Sequence, residues 1–248
     1  MQCKLNLVTR QELLQAINEA TPEQPVRCAT LNPEIILTAQ ANPEFQAALA
    51  DMTHCCVDGF GLYLALQFWC LLHRQHIPIE HYQGADLVAE LISRYSDGTR
   101  RFYFFGGTER ENGGAVSTLV RQHPTLKIAG YQSGGVIPVS QVQVIPQIRH
   151  KILRSKPDIL LVGLGAPKQE LWIQAASTFP VPVMIGVGGT FGFYSTKRRA
   201  PGSIRRLKLE WLWRGVTEPG HWRRLWRAVV VFPICSMFYT VTHWGGTD

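Results

Sequence analysis

Short apolar runs recur along the chain and alternate with longer segments whose apolar residues are spaced as on one face of a helix. Continuous runs of this length are typical of strands that are buried on both faces of a parallel sheet. The runs predicted as strands are Val26–Thr30, His54–Val57, Arg101–Phe105, Leu126–Tyr131, Asp158–Val162 and Val181–Val187. The alternation predicts an α/β fold with a Rossmann-like, mostly parallel sheet and helices on both faces.

Helix-start signals lie between these strands. Serine, threonine or asparagine at the N-cap, a glutamate three residues later and proline at the first helical position are the usual signals. They predict helices that begin at the capping boxes Thr9–Glu12 and Thr108–Glu111, at Asn32-Pro33, after Asn42-Pro43, at Phe60 (to about His73), at Gly84, at Ser140 (to Arg154) and at Pro167.

The pattern changes after Thr190. Ten of the 25 Lys and Arg residues, but only two acids, lie in Lys197–Arg227, so the rest of the chain is nearly neutral although the net charge is +7. This segment also holds four of the seven tryptophans, and Ala228–Trp244 contains no Lys, Arg, Asp or Glu. We therefore divide the chain into a Rossmann-like core, 1–195, and a C-terminal appendage, 196–248.

The appendage has the composition of a membrane-associating segment. A basic, tryptophan-bearing helix followed by an apolar tail is typical of a segment that lies in a membrane interface. The tail is slightly short for a spanning helix, and Pro233 interrupts it. The alternative is that the tail packs on the protein or closes a homo-oligomer.

The cysteines and the N-terminus bear on the compartment. The six cysteines include no C-x-x-C pair and lie mostly in apolar runs, which is typical of reduced thiols in a cytoplasmic protein. The first residues lack the apolar region of a signal peptide. The sequence thus favours a cytoplasmic protein.

The stretch Asp158–Glu170 combines a strand, a glycine turn and a helix start. In open α/β sheets, ligands bind at the carboxyl ends of such strands. Lys168 and Gln169 fall in the first helical turn, where free backbone N–H groups favour an anion. The alternative is that Gly163 and Gly165 merely allow a tight turn and that Lys168 is solvated.

Asp58 is the leading candidate for catalysis. It follows an apolar strand on an Asp-Gly turn, where partial burial would raise the pKa of its carboxyl towards general-base work. The alternative is that Asp58 caps the helix that starts near Phe60. Thr30 ends the preceding strand and is expected in the same crevice. For Asp86, at another helix start, capping is the simpler explanation.

Three strand ends carry glycines that allow backbone to approach a ligand closely. They are Gly106-Gly107-Thr108, Gly163-Leu164-Gly165 and Gly188-Gly189-Thr190. The chain contains no Gly-Lys pair of a Walker A motif and no Asp-x-Asp that would hold a divalent ion. We expect neither a metal nor a cofactor, so that helix N-termini and the arginines of the appendage would neutralise a departing diphosphate.

A set of motifs in order gives a more specific prediction. They are Thr30-Leu31-Asn32-Pro33-Glu34, Asp58-Gly59-Phe60-Gly61, Gly84-Ala85-Asp86-Leu87, Phe105-Gly106-Gly107, Gly163–Glu170, Val187–Phe191, Arg199-Ala200-Pro201, Leu209–Arg214 and Glu218-Pro219. Together they resemble the WecG/TagA/CpsF family of bacterial glycosyltransferases over roughly 26–227.

The resemblance implies an activity. Such proteins transfer a sugar from a UDP-sugar to a polyprenyl-diphosphate-linked saccharide in cell-surface polysaccharide synthesis, with inversion and without a metal. They are peripherally associated with the inner face of the cell membrane. Donors of the N-acetylmannosamine type are common.

The resemblance also implies roles for particular residues. Asp58 is implied as the base, and Thr30 and Gln169 as catalytic residues in the sugar pocket; arginines of the appendage would stabilise the departing UDP. The residues assigned to substrate binding are Asn32, Asp86, Gly106, Gly107, Gly165, Lys168, Gly188, Gly189, Thr190, Arg214, Arg224 and Arg227.

This sequence differs from the family pattern near the expected donor pocket. His81 stands where an arginine usually precedes the Gly-x-Asp turn, and Gly192 stands where an aspartate is frequent. A donor such as UDP-glucose is therefore an alternative to the N-acetylmannosamine type.

Two other functions are weighed against the transferase. One is nucleic-acid binding, in which the basic segment contacts phosphates and its tryptophans stack on bases. That function would leave the glycine turns and Asp58 unused, so we expect no nucleic-acid partner. The other is a nucleotide-binding regulatory protein without activity.

Overall fold

A computed structural model of the protein describes residues 5–135, 138–139, 142–196, 199–207, 210–217, 226–227 and 231–233. Within these residues, six parallel strands form one sheet in the order β2-β1-β6-β5-β3-β4. The strands are β1 Val26–Leu31, β2 His54–Val57, β3 Arg101–Gly106, β4 Lys127–Gln132, β5 Ile159–Gly163 and β6 Val183–Gly186. The predicted α/β, Rossmann-like sheet is confirmed.

Helices connect the strands, as crossovers between parallel strands require. They are α1 Arg10–Glu19, α2 Pro33–Ala41, α3 Pro43–Ala50, α4 Phe60–Leu72, α5 Gly84–Arg94, α6 Glu109–Gln122, α7 Pro146–Ser155, α8 Lys168–Ala175, α9 Thr190–Phe193, α10 Gly202–Arg206 and α11 Glu210–Thr217. Both predicted capping boxes are present, at the starts of α1 and α6.

Two apolar cores lie on opposite faces of the sheet, because successive residues of a strand point to opposite sides. In β3, Tyr103 and Phe105 belong to one core, whereas Phe102 and Phe104 belong to the other. The first core is covered by residues of α2, α3, α4, α7 and α8, and the second by residues of α1, α5, α6 and α9. Burial on both faces explains why the strands are almost wholly apolar.

Side chains at both ends of β1 add bonds to the β6 region that the backbone ladder does not supply. At the amino edge, the buried Arg27 guanidinium donates to the carbonyl oxygen of Val181 at 2.9 Å. At the carboxyl edge, the Thr30 hydroxyl donates to the carbonyl oxygen of Gly186 at 2.9 Å. Burial lowers the pKa of Arg27 to about 10, and its two terminal guanidinium nitrogens donate to backbone carbonyl groups.

One predicted helix differs from the structure. The helix expected over Ser140–Arg154 begins only at Pro146 and ends at Ser155. Ile145 stands before a proline, which disfavours helical backbone at that position, and Ile145 is accordingly the extended N-cap. Ser140 itself lies outside the described residues.

The start of α8 differs from the prediction by one residue. Pro167 is the N-cap rather than the first helical residue, and it follows a cis Ala166–Pro167 bond. Lys168 and Gln169 nevertheless stand in the first turn, as expected.

Most of the appendage lies outside the described residues. Its described parts include α10, α11 and Phe232, which is buried in the first core together with the half-buried Val231. No helix within the part of the chain that the structure describes is long and apolar enough to cross a membrane. The division at 195 and the membrane-associating role of the appendage stay predictions.

Candidate active site

Asp58 stands at the carboxyl edge of the sheet, directly after β2. Its Oδ1 accepts a hydrogen bond of 2.8 Å from the backbone N–H of Gly84, the first residue of α5. Its own backbone N–H donates to Leu31 at the end of β1, and its carbonyl oxygen accepts from Nε2 of His81 at 2.9 Å. The strand end and the helix start together fix the direction of this carboxylate.

The alternative role of Asp58 as a helix cap is wrong. Gly59 is the N-cap of α4, and no side chain caps that helix. A Cβ atom on Gly59 would lie 2.9 Å from the Cα of Asn32, so glycine is what allows the two loops after β1 and β2 to touch. The carboxylate of Asp58 is thereby left facing α5, across the crevice.

Thr30 lies beside this carboxylate, as predicted. A Cβ atom placed on Gly84 would lie 3.1 Å from Cγ2 of Thr30, so Thr30 and Asp58 both contact Gly84. The Thr30 side chain is 5% exposed, and its hydroxyl is engaged with the carbonyl of Gly186. Thr30 therefore links the ends of the adjacent strands β1 and β6 at the carboxyl edge.

Gln169 completes this group from the other side of Gly186. Its Oε1 accepts a hydrogen bond of 2.9 Å from the backbone N–H of Gly188, and its amide nitrogen donates to Glu170 at 2.8 Å. A Cβ atom on Gly186 would lie 2.8 Å from the same amide nitrogen. Gln169 is 2% exposed, so it supports the loop after β6 from within.

Glu170 is a buried carboxyl that the sequence analysis did not single out as a site residue. It is fully buried, and burial raises its pKa to about 7. Oε1 accepts the hydrogen bond from Gln169, whereas Oε2 has no hydrogen-bond partner in the described part of the chain. The only sequence signal for this buried carboxyl was the position of Glu170 directly after Gln169, in the first turn of a helix predicted to follow a core strand.

The glycines of two strand ends border open space. Gly165, after β5, and Gly188, after β6, have positive φ angles of 73° and 54°, and a Cβ atom on either would meet no other part of the described chain within 4 Å. Together with Asp58 and Thr30 they form what we call the open side of the carboxyl edge. Its strand order is β2, β1, β6, β5.

The glycines at the end of β3 are packed against protein backbone instead. A Cβ atom on Gly106, whose φ is 109°, would lie 2.5 Å from the carbonyl carbon of Gly163. Gly107 donates its N–H to Gly163 at 2.8 Å and accepts from Gly134. We call Gly106, Gly107, Gly134 and Gly163 the closed side of the edge.

The remaining predicted residues of the core have individual positions. Asn32 accepts from the N–H of Ile35 and caps α2. Thr190 is buried and donates its hydroxyl to Val187 at 2.6 Å, while Gly189 is the exposed N-cap of α9. Lys168 is half-exposed, and its ammonium group makes no hydrogen bond or ion pair in the described residues. Of these four, Lys168 alone offers a cation at the open side.

Asp86 forms an ion pair rather than a helix cap, so the capping interpretation is wrong. It stands in the first turn of α5, whose N-cap is Gln83. Its Oδ1 lies 2.6 Å from Nη2 of Arg199, and Nε of the same guanidinium lies 3.4 Å from the buried carboxylate of Glu210. Arg199 therefore connects α5, beside the Asp58 crevice, to the first residue of α11.

The sequence analysis missed this role of Arg199. Glu210 is one of only two acids in the basic segment, and it is 5% exposed. The charge excess of the appendage is thus partly used to attach it to the core.

The arginines predicted to bind UDP are only partly described. The side chain of Arg214, within α11, and the whole of Arg224 lie outside the described residues. Arg227 is described and exposed. Among the described residues, no group of three or more His, Cys, Asp or Glu side chains could hold a metal ion.

The sequence of this chain is similar to a protein family and to several bacterial enzymes. The sequence model of the Glycosyl transferase WecG/TagA/CpsF family matches residues 1–244. The chain is 32% identical over 198 residues to the N-acetylglucosaminyldiphosphoundecaprenol N-acetyl-beta-D-mannosaminyltransferase of Bacillus spizizenii (strain ATCC 23059 / NRRL B-14472 / W23), covering 79% of this chain and 73% of the relative.

Proteins with the same name in two other bacteria are also similar. The one from Bacillus subtilis (strain 168) is 31% identical over 199 residues, covering 79% of this chain and 73% of the relative. The one from Staphylococcus aureus (strain MRSA252) is 29% identical over 201 residues, covering 80% and 73%. The chain therefore belongs to the WecG/TagA/CpsF family of glycosyltransferases.

Proposed function

We propose that this glycosyltransferase moves a sugar from a UDP-sugar onto a polyprenyl-diphosphate-linked saccharide, with inversion at the anomeric carbon. The observation that carries the proposal is the position of Asp58. Its carboxylate is held by the N–H of Gly84 at the carboxyl edge of the sheet, and Thr30 contacts the same glycine. A fixed carboxylate at a ligand-binding edge is what a general base requires.

In this proposal Asp58 takes the proton of the acceptor hydroxyl. The hydroxyl oxygen then forms a bond to the anomeric carbon, while the bond from that carbon to the diphosphate oxygen breaks. The electron pair leaves with UDP, and the proton remains on Asp58. Attack from the face opposite to the leaving group inverts the anomeric centre.

The leaving diphosphate would lie at the open glycines. Gly165 and Gly188 leave room for a ligand against the backbone, and Lys168 stands at the N-terminus of α8, where backbone N–H groups favour an anion. Gln169 holds the N–H of Gly188 in place from within. Arg214, Arg224 and Arg227 would supply further positive charge without a metal ion.

The names of the relatives support the choice of substrates. They describe the transfer of N-acetylmannosamine to an N-acetylglucosaminyl diphosphoundecaprenol. We infer a lipid-linked saccharide of this class as the acceptor, so that the enzyme works at the inner face of the cell membrane in cell-surface polysaccharide synthesis. A hexose or an N-acetylhexosamine bound to UDP is the inferred donor.

Replacement of the base tests the mechanism. Asp58→Asn keeps an oxygen that accepts from Gly84 but removes the basic carboxylate, so turnover should fall about 10²–10⁴-fold while UDP binding persists. UDP release with a lipid-linked acceptor measures turnover, and calorimetry measures UDP binding.

Asp97→Asn is the matched control. Asp97 is an exposed aspartate that accepts from Thr99, in the turn that follows α5. This variant should turn over like the wild type. Full activity of Asp58→Asn would disprove the role of Asp58 as base.

A donor panel tests the reaction class. The wild-type chain is incubated with a lipid-linked N-acetylglucosamine acceptor and a series of UDP-sugars, in buffer containing EDTA. UDP release with one donor, and a product whose anomeric configuration is opposite to that of the donor by NMR, is expected. Retention of configuration, or activity restored only by added magnesium, would contradict the proposal.

A further inference from the structure

Helix α4 exposes an apolar stripe beside the candidate active site. Leu64, Phe68, Leu71 and Leu72 are 50%, 52%, 75% and 55% exposed. They follow one another at spacings of four, three and one, which places them on one side of a helix. We call these four residues the α4 stripe.

The opposite side of α4 is packed on the protein. Leu62 and Cys70 are buried, and Tyr63, Ala65 and Leu66 pack against the first core. The helix is therefore anchored by one face while the α4 stripe points outwards. Contiguous exposed patches of large apolar residues usually mark a surface that contacts a partner or a membrane.

The charges around the α4 stripe favour an anionic partner. No Asp or Glu occurs from Gly59 to Ile79, whereas the exposed Arg74 and His76 follow the helix. Arg74 and His76 line a depression of about 480 Å³ together with Leu71 and Ile77. A set of exposed apolar side chains followed by an arginine, without acids in the same stretch, is the composition of an interfacial membrane helix.

The position of α4 connects this surface to the chemistry. The helix begins two residues after Asp58 and is 13 residues long, which is about 20 Å at 1.5 Å per residue. If the saccharide of a lipid-linked acceptor reaches Asp58, as the proposed function holds, its lipid must remain in a membrane within a short distance. A bilayer along α4 satisfies that requirement.

We propose that the α4 stripe docks on the surface of an anionic lipid bilayer, as a membrane contact separate from the C-terminal appendage. The argument that the bilayer lies close to Asp58 rests on the proposed function. The spin-label test of the contact does not depend on that function. A second copy of the chain, or residues 234–248 of the same chain, would be the competing occupants of the stripe.

A spin label at position 71 tests the contact directly. Leu71→Cys is labelled in the full chain with Cys3 and Cys235 replaced by serine, because the four described cysteines are buried. With phosphatidylglycerol vesicles, the label should become more accessible to oxygen and less accessible to a water-soluble nickel complex. A label at Val120, a 43% exposed residue of α6, is the control and should not change.

Two outcomes of the labelling would overturn the proposal. A label at position 71 that remains equally accessible to the nickel complex shows that no bilayer contact forms. A label that is immobilised and shielded before vesicles are added shows that the chain's own tail or a second copy covers the stripe.

A double variant connects docking to activity. Phe68→Ser with Leu71→Ser should bind the vesicles at least about tenfold more weakly, because two large apolar side chains no longer enter the interface. Transfer to a long-chain acceptor embedded in vesicles should fall by a similar factor. Transfer to a short-chain, water-soluble acceptor should stay as in the wild type. Val120→Ser is the control and should behave as the wild type in all three assays.

The assays separate failure of the inference from failure of the proposed function. Equal loss on both acceptors would overturn the docking role, since the stripe would then act on the reaction itself. If the wild type transfers no sugar to either acceptor, the proposed function fails. The spin-label result then still decides whether the α4 stripe meets a bilayer.

Discussion

The open and closed sides of the carboxyl edge carry similar glycine motifs but are built in different ways. On the closed side, backbone fills the space beside Gly106, since a Cβ atom there would lie 2.5 Å from Gly163. On the open side, apart from the adjoining residues of the chain, no described residue has an atom within 4 Å of the position that a Cβ atom would take on Gly165 or Gly188. Glycine is required for packing on one side and leaves room for a ligand on the other.

The polar side chains follow the same division. Asp58, Thr30 and Gln169 each bond to a backbone group of the open side. On the closed side, the buried Asn112 donates to the carbonyl oxygens of Phe104 and Gly106. We propose that the open side binds substrate, whereas the contacts of the closed side hold β3 and its neighbours together.

Alanine at one glycine of each side gives the largest expected contrast. Gly106→Ala should lower the free energy of unfolding by about 3–5 kcal/mol, because the strain of its φ adds to a backbone clash. Gly165→Ala bears only the φ strain and should cost about 1–2 kcal/mol, but it should weaken UDP binding. Denaturant unfolding and calorimetry measure the two effects. Equal destabilisation would contradict the division.

Removal of the appendage tests whether the open side is complete without it. A chain that ends after Ser195 should fold, since almost all the described residues of the two cores lie within 1–195. It should lose about 10²-fold or more in turnover, because the arginines that we propose to stabilise UDP are gone. Circular dichroism and UDP release are the measurements. Full activity of the shortened chain would show that the appendage plays no part in the reaction.

Arg199→Ala changes a contact beside the open side only, and it should lower kcat/KM moderately. It removes the cation between Asp86 and Glu210, so kcat/KM should fall about tenfold as α11 loses its attachment. Arg205→Ala is the matched control, because this exposed arginine approaches Asp86 only to 4.0 Å. It should change kcat/KM less than twofold. Equal effects of the two variants would argue against a specific role for Arg199.

Glu170→Gln is expected to have the smallest effect, and it depends on pH. Burial raises the pKa of Glu170 from 4.5 to about 7, so the folded protein disfavours the ionised form. The contribution of Glu170 to the stability of the wild type should therefore fall as the pH rises from about 4.5 to about 7, and stay level above.

The variant removes that penalty and keeps an oxygen that accepts from Gln169. It should gain about 1–3 kcal/mol over the wild type above pH 7 and little below pH 5. Thermal unfolding from pH 4.5 to pH 8 measures the difference. A constant difference between the two proteins across this range would contradict the raised pKa.

The sequence predicted the strands well because burial on both faces leaves a strong signal. Each predicted strand agrees with the structure to within two residues at either end. The helix expected from Ser140 failed because the apolar residues before Pro146 fit a helical spacing, although Ile145 takes an extended conformation.

The site was predicted in part, for a physical reason. Asp58 and Thr30 were expected in one crevice because each stands at the carboxyl end of a predicted strand, whereas the family resemblance placed Gln169 with them. Arg199 was missed because its partners Asp86 and Glu210 are far apart along the chain, and nothing local specifies the pair. The different roles of Gly106 and Gly165 were also beyond the sequence, since both follow apolar strands and only their three-dimensional neighbours differ.

The two side-chain bonds that join β1 to the β6 region have a consequence for how the enzyme can move. Arg27 and Thr30 donate hydrogen bonds to the β6 region near the two ends of β1, in addition to the bonds between the two backbones. We therefore expect β1 and β6 to move together as one rigid unit. We therefore expect conformational change around Asp58 during a catalytic cycle to occur in the surrounding segments. These are the glycine turn before α8, the start of α5 and the segment that Arg199 connects to α5.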